Sequence, residues 1–531
     1  MAPIIDPKVT VIDYGPRLVL EGGQEITPDE FVWGAAAITY KDTGTVNELL
    51  ERKANEEDIS ETIKTSLIKS GGAGHASMAT TPGFWLYLEG NSSKMVDSMF
   101  TGARFASSLM PSGRRIPVEV GQIVIPKGIA EKGDELVNLY IQASEKNIQA
   151  YEQLQEDGVP KQEASKIVQY GHRGGGFMFM PLETLIHYAK DAEDNSLMPR
   201  EGKEILAQLE DFIHNNGMEI TYEARKAAPR TGCVNPNIFH NRRNIAQELI
   251  EENYMGVLRS PAVVCSNHFP SKDRDNRINN WLKRREAIFS DPNSIKDNWQ
   301  GLLRELEHIV EDHNNSFSIT TISNSPWRVW GEVKRHRTLP QITESVYNAV
   351  DRARKVVANH NGEFYEEGLL GEVEFAYTPV FSTPKEVVGN PKNFELWINR
   401  FRDSIQVYGK LVNAGVDKSD AIHVIPRGLK MGILKQYDLY NTTTGYLSLR
   451  LCSTAEPEMR ATSEVERDLI LNNAQTPESI KKLLTPKCNY VGFCPDSKPC
   501  GNIRMVVPSY NRDVHKSIQS SREKDIRGRL G

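Results

Sequence analysis

Two long segments of the chain carry apolar residues at helical spacing. In Asp134–Glu156 these residues are Leu136, Val137, Tyr140, Ile141, Ile148 and Tyr151. Recurrence every three or four residues places such side chains on one face of a helix, which Asp134 is suited to cap and Gly158 to end. Later in the chain the same pattern is formed by Phe394, Trp397, Phe401, Ile405 and Tyr408. The pattern therefore predicts two equivalent helices.

Shorter stretches predict strands and one buried helix. Val9–Leu20 starts with alternating apolar and polar residues, and Phe84–Gly90 and Phe317–Ile322 are also typical of strands. Phe31–Tyr40 is apolar and contains three consecutive alanines, which predicts a buried helix. We expect Pro261–Cys265 to be the counterpart of that helix in the second half of the chain.

Constant offsets relate the two halves of the chain. Similar residues stand 233 positions apart in one region, namely Arg104 with Arg337 and Ser112 with Ser345. Further along the offset is 257, as in Tyr151–Val159 with Tyr408–Val416, Ala164 with Ala421, Glu201 with Glu458 and Lys203 with Arg460. A fixed offset across separated features predicts a tandem duplication. The step between the two offsets predicts a 24-residue insertion between about Asn348 and Lys392.

The offsets and a polar stretch around Tyr222–Glu252 divide the chain into three parts. Residues 1–230 form the first repeat, residues 231–503 the second repeat, and residues 504–531 a basic C-terminal tail. The tail lacks apolar periodicity, so we expect it to be flexible.

Composition narrows the class of protein. The chain has 531 residues, of which 39% are hydrophobic and 25% charged, as in ordinary soluble globular proteins. A net charge of -6 argues against non-specific nucleic-acid binding as its main task. Apolar runs stay well short of the roughly 20 residues that cross a membrane, and the N-terminus lacks the pattern of a secretion signal. Six cysteines are sparse for this length, so we expect a reduced, cytoplasmic protein.

The candidate chemistry centres on Arg335-His336-Arg337, which is followed after seven residues by Ser345. Arginine grips phosphate or carboxylate with two parallel donors. A histidine between two cations loses its proton readily and can then bond or stack as a neutral ring. The plainer alternative for three such residues is a solvated basic turn.

This motif and its spacing resemble the first signature of the flavin-dependent thymidylate synthase (ThyX) family. The family's second signature, an alanine followed three residues later by Glu-hydrophobic-Arg, is similar to Ala455 followed by Glu458-Met459-Arg460. Gly74-His75-Ala76-Ser77, ahead of a predicted strand, resembles the Gly-His-x-Ser box that opens the family's flavin site. Two signatures in the family's order make chance similarity a poor explanation.

The resemblance implies a fold and an assembly. Each repeat would be an α+β domain, built from an antiparallel sheet with packed helices, and the two tandem ThyX-like domains would be related by a pseudo-two-fold axis. The first would carry a degenerate Arg-His-Arg motif and the second an intact one. Because the family assembles as a homotetramer with sites between subunits, the resemblance implies a homodimer of tandem chains with the functional site between the repeats.

The resemblance also implies an activity, the reductive methylation of dUMP to dTMP. FAD would be the cofactor, NADPH the reductant and methylenetetrahydrofolate the carbon donor. The partners would be small-molecule nucleotide and folate substrates, with no nucleic acid, no membrane and no metal. Two alternatives stay open: a divergent flavoenzyme that modifies another pyrimidine nucleotide, and a non-catalytic paralogue that binds nucleotide or flavin.

Residue by residue, the resemblance implies roles at the matching positions. Arg460 matches the catalytic arginine that stabilises the ionised uracil. Cofactor contacts would come from His75, Ser77, Arg104, Arg335, His336, Arg337 and Thr343. Nucleotide contacts would come from Glu332, Arg335, Ser345, Arg460, Ser112 and Arg114.

Neither repeat matches the family pattern in full. The first has Gly102-Ala103 where the family has its first arginine and histidine. The second has Glu332 for the usual glutamine and Thr343 for the usual glutamate. Ser165 and Ile422 stand where a phosphate-binding arginine is expected. A division of labour between diverged copies would produce this pattern, and so would decay of one copy into a scaffold.

Two other patterns carry little chemistry by themselves. Cys488, Cys494 and Cys500 have five residues between neighbours and lack the two-residue spacing of zinc ribbons, so they predict no metal site. The run His172-Arg173-Gly174-Gly175-Gly176 could cradle a phosphate, but a glycine run is more often a turn.

Overall fold

The computed structural model describes residues 2–21, 23–38, 45–55, 57–103, 105–113, 116–229, 237–254, 258–359, 374 and 376–530. The chain forms two compact units, each assembled from separate segments. The first unit contains Met1–Gln247, Pro326–Arg337 and Thr343–Met431. The second contains Glu248–Ser325, Thr338–Ile342 and Gly432–Gly531.

Two antiparallel sheets with the same connectivity organise the fold. One has the order β1-β4-β6-β5 and the other the order β7-β8-β10-β9, while β2 pairs with β3 alone. Their bounds are β1 Asp6–Gly15, β2 Leu18–Val19, β3 Glu25–Ile26, β4 Gly83–Asn91, β5 Ser107–Leu109, β6 Gly176–Pro181, β7 Ala262–His268, β8 Phe317–Pro326, β9 Gln341–Thr343 and β10 Lys430–Asp438. In each sheet the four strands follow the chain in the order first, second, fourth, third, which is the expectation for a duplicated domain.

Helices pack on both sheets, so the α+β fold class is confirmed. In the first half they are α1 Pro28–Ile38, α2 Thr45–Ala54, α3 Ser60–Gly72, α4 Ser77–Thr80, α5 Met95–Phe100, α6 Lys127–Ala130, α7 Asp134–Glu156, α8 Lys161–Ala164, α9 Leu182–Asp194, α10 Arg200–His214, α11 Glu219–Lys226 and α12 Ile245–Glu248. In the second half they are α13 Lys272–Phe289, α14 Pro292–His313, α15 Trp327–Val333, α16 Val346–Asn359, α17 Lys385–Val388, α18 Pro391–Asn413, α19 Lys418–Ala421, α20 Leu439–Thr442, α21 Tyr446–Arg450, α22 Pro457–Asn472, α23 Glu478–Lys481, α24 Cys488–Val491 and α25 Arg512–Arg529.

A bulge in the first strand of each sheet supports the duplication. The register between β1 and β4 shifts between Val11 and Asp13, and that between β7 and β8 shifts between Val263 and Cys265. Bulges are local features that related domains tend to keep. The bulge therefore identifies β7 as the equivalent of β1. The prediction that Pro261–Cys265 is a helix is wrong, because a short apolar run does not distinguish a strand from a helix.

The helices α7 and α18 give the duplication a local symmetry inside the first unit. They have equal lengths, 23 residues each, and their bounds differ by the predicted offset. Asn147 Nδ2 on α7 donates a hydrogen bond of 3.0 Å to Ser404 Oγ on α18, and these two residues occupy equivalent positions. A backbone bridge also joins the equivalent residues Gln169 and Pro426. Contacts between equivalent residues are what a two-fold axis produces.

Two smaller predictions about helix ends need correction. The residue that caps α7 is Gly133, and Asp134 is already inside the helix, where its charge still favours the N-terminus. The predicted flexible tail contains α25, which is capped by Asn511 and buries His515 and Ile518. Sequence reasoning missed this helix because only a few of its residues are apolar.

The packing units do not follow the boundaries of the repeats. The first unit contains the segments 326–337 and 343–431, which belong to the second repeat by sequence. The repeat boundary at residues 230 and 231 falls outside the described residues and stays a prediction. Among the described residues, none of the helices combines the length and apolar content that a bilayer crossing requires, and the five described cysteines are free.

Candidate functional site

The Arg-His-Arg motif lies in a loop that a buried helix holds in place. The helix α15 follows the end of β8 and buries Trp327 and Trp330, so the chain that leaves it is firmly positioned. The next residues are Lys334 and the motif itself. The Arg335 side chain is 42% exposed, whereas Arg337 is half-buried and its Nε donates to the backbone oxygen of Ala103 at 2.9 Å.

Four cations surround the carboxylate of Asp97 or lie close to it; Lys94, Lys334, Arg335 and Arg427 are called the cationic cluster below. Lys94 Nζ lies 3.4 Å from Asp97 Oδ2, and Arg335 Nη2 lies 3.4 Å from Asp97 Oδ1. Lys334 Nζ donates to the backbone oxygen of Asp97. Burial alone would raise the pKa of Asp97, but the charges of Lys94, Lys334 and Arg335 outweigh it and hold that pKa well below its usual range.

Burial makes the cationic cluster electrostatically costly. It lowers the pKa of Lys334 to about 7, since Asp97 only partly offsets the lost solvation and Arg335 and Lys94 add repulsion. Burial and the same kind of repulsion also lower the pKa of Lys94. Burial lowers the pKa of Arg427 to about 10, so its guanidinium stays charged at neutral pH. An anion among these groups would relieve the repulsion.

Arg427 has a donor available for such an anion. Its side chain is 1% exposed, and its Nε donates to the backbone oxygen of Val168 at 3.1 Å. Its Nη2 is buried without a hydrogen-bond partner among the described residues. The guanidinium also lies 5.9 Å from the centre of the Tyr170 ring. A buried donor without a partner is costly, and such groups often mark a ligand position.

The degenerate copy of the motif packs directly against the intact copy. Ala103, the equivalent of His336, accepts the hydrogen bond from Arg337. A Cβ atom built on Gly102, the equivalent of Arg335, would lie 3.3 Å from the Lys334 side chain. Thr101, the equivalent of Lys334, donates to Asp97 Oδ1 at 2.8 Å. The residues lost from the first repeat therefore leave space that the second repeat's cations occupy.

The remaining residues assigned in the second repeat lie near this loop or after it. His336 is half-buried, and Glu332 Oε1 lies 3.9 Å from Arg328 Nη2. Thr343 is buried. The hydroxyl of Ser345 is buried and donates to the backbone oxygen of His240. Ser345 also accepts from the backbone N–H of Tyr347 at 3.3 Å, so it helps to begin α16.

The residues assigned in the first repeat are more exposed. His75 and Ser77 are exposed at the start of α4, shortly before β4. Ser112 is half-buried. Arg104 and Arg114 lie outside the described residues, so their assignments stay predictions.

Arg460 belongs to the second unit, in the first turn of α22. Glu456 caps that helix by accepting from the backbone N–H of Met459 at 2.7 Å. The Arg460 side chain is 35% exposed, and its Nε lies 3.7 Å from Glu464 Oε1. An arginine that is partly exposed and loosely paired is available to a ligand.

The second unit also contains a buried ionic network that the sequence did not indicate. Glu466 accepts hydrogen bonds from Lys435 Nζ at 2.7 Å, from Tyr437 at 2.7 Å and from Thr321 at 2.8 Å. Burial would lower the pKa of Lys435, but the carboxylate of Glu466 raises it overall. Ionic groups this deeply buried need such satisfaction.

Sequence reasoning missed Lys94, Asp97, Lys334 and Arg427. Lys334 adjoins the motif and could have been noticed. Arg427 stands 257 residues after Tyr170, so the offset alone could have paired them. Lys94 and Asp97 were missed because the side chains of Lys334 and Arg335 that contact Asp97 lie more than 200 residues away in the sequence.

Comparison with known proteins agrees with the duplicated arrangement. The family model described as thymidylate synthase complementing protein matches residues 24–200 and again residues 274–472. Flavin-dependent thymidylate synthases of Thermococcus onnurineus (strain NA1) and Pyrococcus furiosus are 29% identical over 119 residues and 26% identical over 117 residues. Each alignment covers 22% of this chain and 48% of the relative, so the chain spans about half the length of the curated relatives it matches.

Solved structures give weaker similarities. A UMP/dUMP methylase, PolB from Streptomyces cacaoi bound with 5-Br dUMP, has 15% identity and a TM-score of 0.33 over 44% of this chain and 100% of that chain. A ThyX structure from Helicobacter pylori complexed with FAD and dUMP has 14% identity and a TM-score of 0.27 over 42% of this chain and 97% of that chain.

Proposed function

Because the chain belongs to the thymidylate synthase complementing protein family, we propose that it is a flavin-dependent enzyme that converts dUMP to dTMP. Methylenetetrahydrofolate would donate the carbon, and NADPH would be the reductant. The observation that best supports this proposal is the cationic cluster beside the intact Arg335-His336-Arg337 motif. Both the nucleotide and FAD carry phosphate groups, which charge-assisted hydrogen bonds of this kind recognise.

The chemistry of the cationic cluster fits a phosphate group of either molecule. Its positive charges outnumber the carboxylate of Asp97, and a buried donor of Arg427 has no partner among the described residues. Arg335, Arg337, Lys334 and Arg427 would hold the phosphates. FAD, when bound and reduced, supplies the reducing equivalents that complete the methyl group.

The chain's own residues would bind and orient the ligands and neutralise their negative charge. Lys334 is poised to take up a proton when an anion arrives, because its pKa lies near 7 in the free protein. Asp97 would hold Lys94 and Arg335 in place, since it contacts both. Arg460 would stabilise negative charge on the uracil ring, a task suited to a group with fixed donors that stays protonated.

Calorimetry with FAD and with dUMP, together with a dTMP formation assay, tests this function. Arg335→Gln should weaken binding of one of the two ligands about tenfold or more, since a charge-assisted hydrogen bond contributes about 1.5–3 kcal/mol. Arg284→Gln is a matched control, because Arg284 is also an exposed arginine paired with a carboxylate, that of Glu305 at 2.7 Å. A protein that binds neither FAD nor dUMP would contradict the proposal.

A second candidate is a flavoenzyme that modifies another pyrimidine nucleotide. It is favoured by Ser165 and Ile422, which replace the family's phosphate-binding arginine and are both buried. Glu332, in place of a glutamine, also points to a changed substrate contact. Competition between dUMP and UMP in the same calorimetric assay separates the two candidates. A non-catalytic paralogue would bind nucleotide or flavin without product.

We further propose a cytoplasmic homodimer of tandem chains. The free state of the five described cysteines fits a reducing compartment. Symmetric pairing of two tandem chains would supply the four domains of the family's assembly. Sedimentation of the purified protein measures this state, and a monomer at working concentration would contradict it.

A further inference from the structure

A cavity of about 170 Å³ in the second unit is lined by four cysteines. They are Cys452, Cys488, Cys494 and Cys500, and every cysteine that follows Cys265 in the sequence is among them. Cys452 comes just after α21, and the other three lie in or after α24. A group of four thiols around one cavity, in a chain with six cysteines, calls for an explanation that packing alone does not give.

The loop that carries three of these thiols contains two glycines with positive φ angles. Gly492 and Gly501 adopt φ angles of +76° and +95°, which side chains beyond glycine rarely adopt. Gly492 ends α24 between Cys488 and Cys494, and Gly501 follows Cys500. All three cysteines of this loop line the cavity. The regular spacing of the three cysteines is thus a property of the loop, and the fourth ligand comes from 36 residues upstream of Cys488.

Two of the thiols are shielded from solvent, since Cys494 is buried and Cys488 is half-buried. Thiols become thiolates when they ligate a metal centre, because the positive charge of the metal stabilises the deprotonated sulfur.

We propose that Cys452, Cys488, Cys494 and Cys500 ligate an iron–sulfur cluster. Thiolates select copper(I), zinc or iron–sulfur centres among biological metals, and four cysteines are the usual ligands of the last two. Within the described residues, no three or more side chains of Cys, His, Asp or Glu converge on a position that would hold a single metal ion. The cavity is also more than ten times the volume that one water molecule requires. Thiols set apart around open space suit a cluster, whose irons lie between them.

Contacts behind Cys494 support a built site. The N–H of Cys494 donates to the hydroxyl of Tyr510 at 3.1 Å, and that hydroxyl lies 2.9 Å from His515 Nδ1 on α25. Gln519, also on α25, donates to the backbone oxygen of Cys494 at 3.0 Å. Such supporting contacts orient ligands around metal centres. The C-terminal helix therefore acts as the support of this loop.

The test is to purify the full chain without oxygen and measure iron, zinc and acid-labile sulfide. Iron and sulfide in equal amounts are expected, with an electron paramagnetic resonance signal after reduction that flavin does not give. Cys452→Ser and Cys494→Ser should each lose iron and sulfide, whereas Cys265→Ser, on β7 away from the cavity, should retain both. This result does not depend on the proposed nucleotide chemistry, because none of the measurements involves substrate.

Several outcomes would overturn the proposal of an iron–sulfur cluster. Zinc without sulfide would indicate a single-ion site, and a metal-free protein with four titratable thiols would indicate none. If the Cys452→Ser variant retained all of its iron, Cys452 would not be the fourth ligand. If the serine variants fail to fold, the wild-type chain can be stripped with a chelator and reconstituted with ferrous iron and sulfide. Failure of the stripped, folded chain to regain them would also refute the proposal.

Discussion

The two sheets have different kinds of buried side chains at equivalent positions. In the first unit, Met178 and Met180 on β6 and Leu209 on α10 are each 1% exposed. The residues 257 positions later are Lys435 and Tyr437 on β10 and Glu466 on α22. These are equally buried, but they form an ionic network with hydrogen bonds of 2.7 Å. The same sheet order thus holds an apolar core in one copy and a salt bridge in the other.

The comparison teaches that the fold does not require this salt bridge. Taking two charges out of water costs several kcal/mol per ion, which good geometry only roughly offsets. Since the first sheet forms with methionines and leucine, the ionic network needs a reason other than stability. The second unit also carries Arg460, and a rigid, fully satisfied network behind α22 would fix the position of that arginine.

Removing one partner of the network should have the largest effect. Glu466→Leu leaves the ammonium of Lys435 buried without its counter-ion, so we expect a loss of about 3–5 kcal/mol in the free energy of unfolding. Denaturant unfolding measures this loss. The control is Leu209→Ala on α10, which packs on the first sheet; this variant opens an apolar cavity without stranding a charge. A Glu466→Leu protein as stable as the wild type would show that Lys435 reaches solvent.

Arg460 and its equivalent Lys203 test which copy carries the chemistry. Arg460→Ala should lower the rate about a hundredfold or more, the usual cost of losing one preorganised donor. Arg460→Lys should restore little, because a point charge does not replace the planar fork. Lys203→Ala should change the rate far less. Steady-state assays with folded proteins, verified by circular dichroism, decide between them, and equal losses at both positions would contradict a division of labour.

Lys334 and its equivalent Thr101 differ in charge, which predicts a pH dependence. The pKa of Lys334 is lowered to about 7, so the lysine is already protonated below pH 7 and largely neutral above it. A bound anion raises that pKa, so binding above about pH 7 takes up a proton and affinity falls by up to about tenfold per pH unit. Calorimetry with phosphate or dUMP in buffers of different ionisation enthalpy counts the proton. Lys334→Met should abolish the uptake, and uptake that persists would assign it elsewhere.

Copying the first sheet into the second should have the smallest effect on stability. The triple variant Lys435→Met, Tyr437→Met and Glu466→Leu replaces the network by the residues found 257 positions earlier. Replacing a buried ion pair by apolar residues of similar volume is often neutral or stabilising. We expect unfolding at or above the wild-type denaturant midpoint, with lower activity. A large loss of stability would mean that the second core cannot accommodate the packing of the first.

Sequence predicted the parts of the fold that have strong local patterns. The bounds of α7 follow from its apolar periodicity, and the offset of 257 located α18. The prediction for Pro261–Cys265 was wrong because a strand of seven residues and a short buried helix have similar apolar patterns. The helix α25 was not predicted, because its two buried residues, His515 and Ile518, are too few to form a periodic pattern.

The candidate site was predicted less completely than the fold. The Arg-His-Arg motif identified one side of the cationic cluster, but Lys94 and Asp97 come from a distant, degenerate copy. Only folding brings them to Lys334, and no local signal marks them. Likewise, Cys452 lies outside the spacing of Cys488, Cys494 and Cys500, so the sequence did not show that the four line one cavity. Contacts over long sequence separations are what a single sequence reveals least.

The hydrogen bond between Asn147 and Ser404 has a consequence for the synthesis of the chain. The two residues are 257 positions apart, so α7 leaves the ribosome long before its partner α18 exists. Closing a loop of that length costs about 5 kcal/mol of chain entropy beyond a constant. Until then α7 lacks the helix that it packs against, which exposes the nascent chain to aggregation. We therefore expect the time needed to translate residues 157–431 to set the earliest moment at which the first unit completes its core.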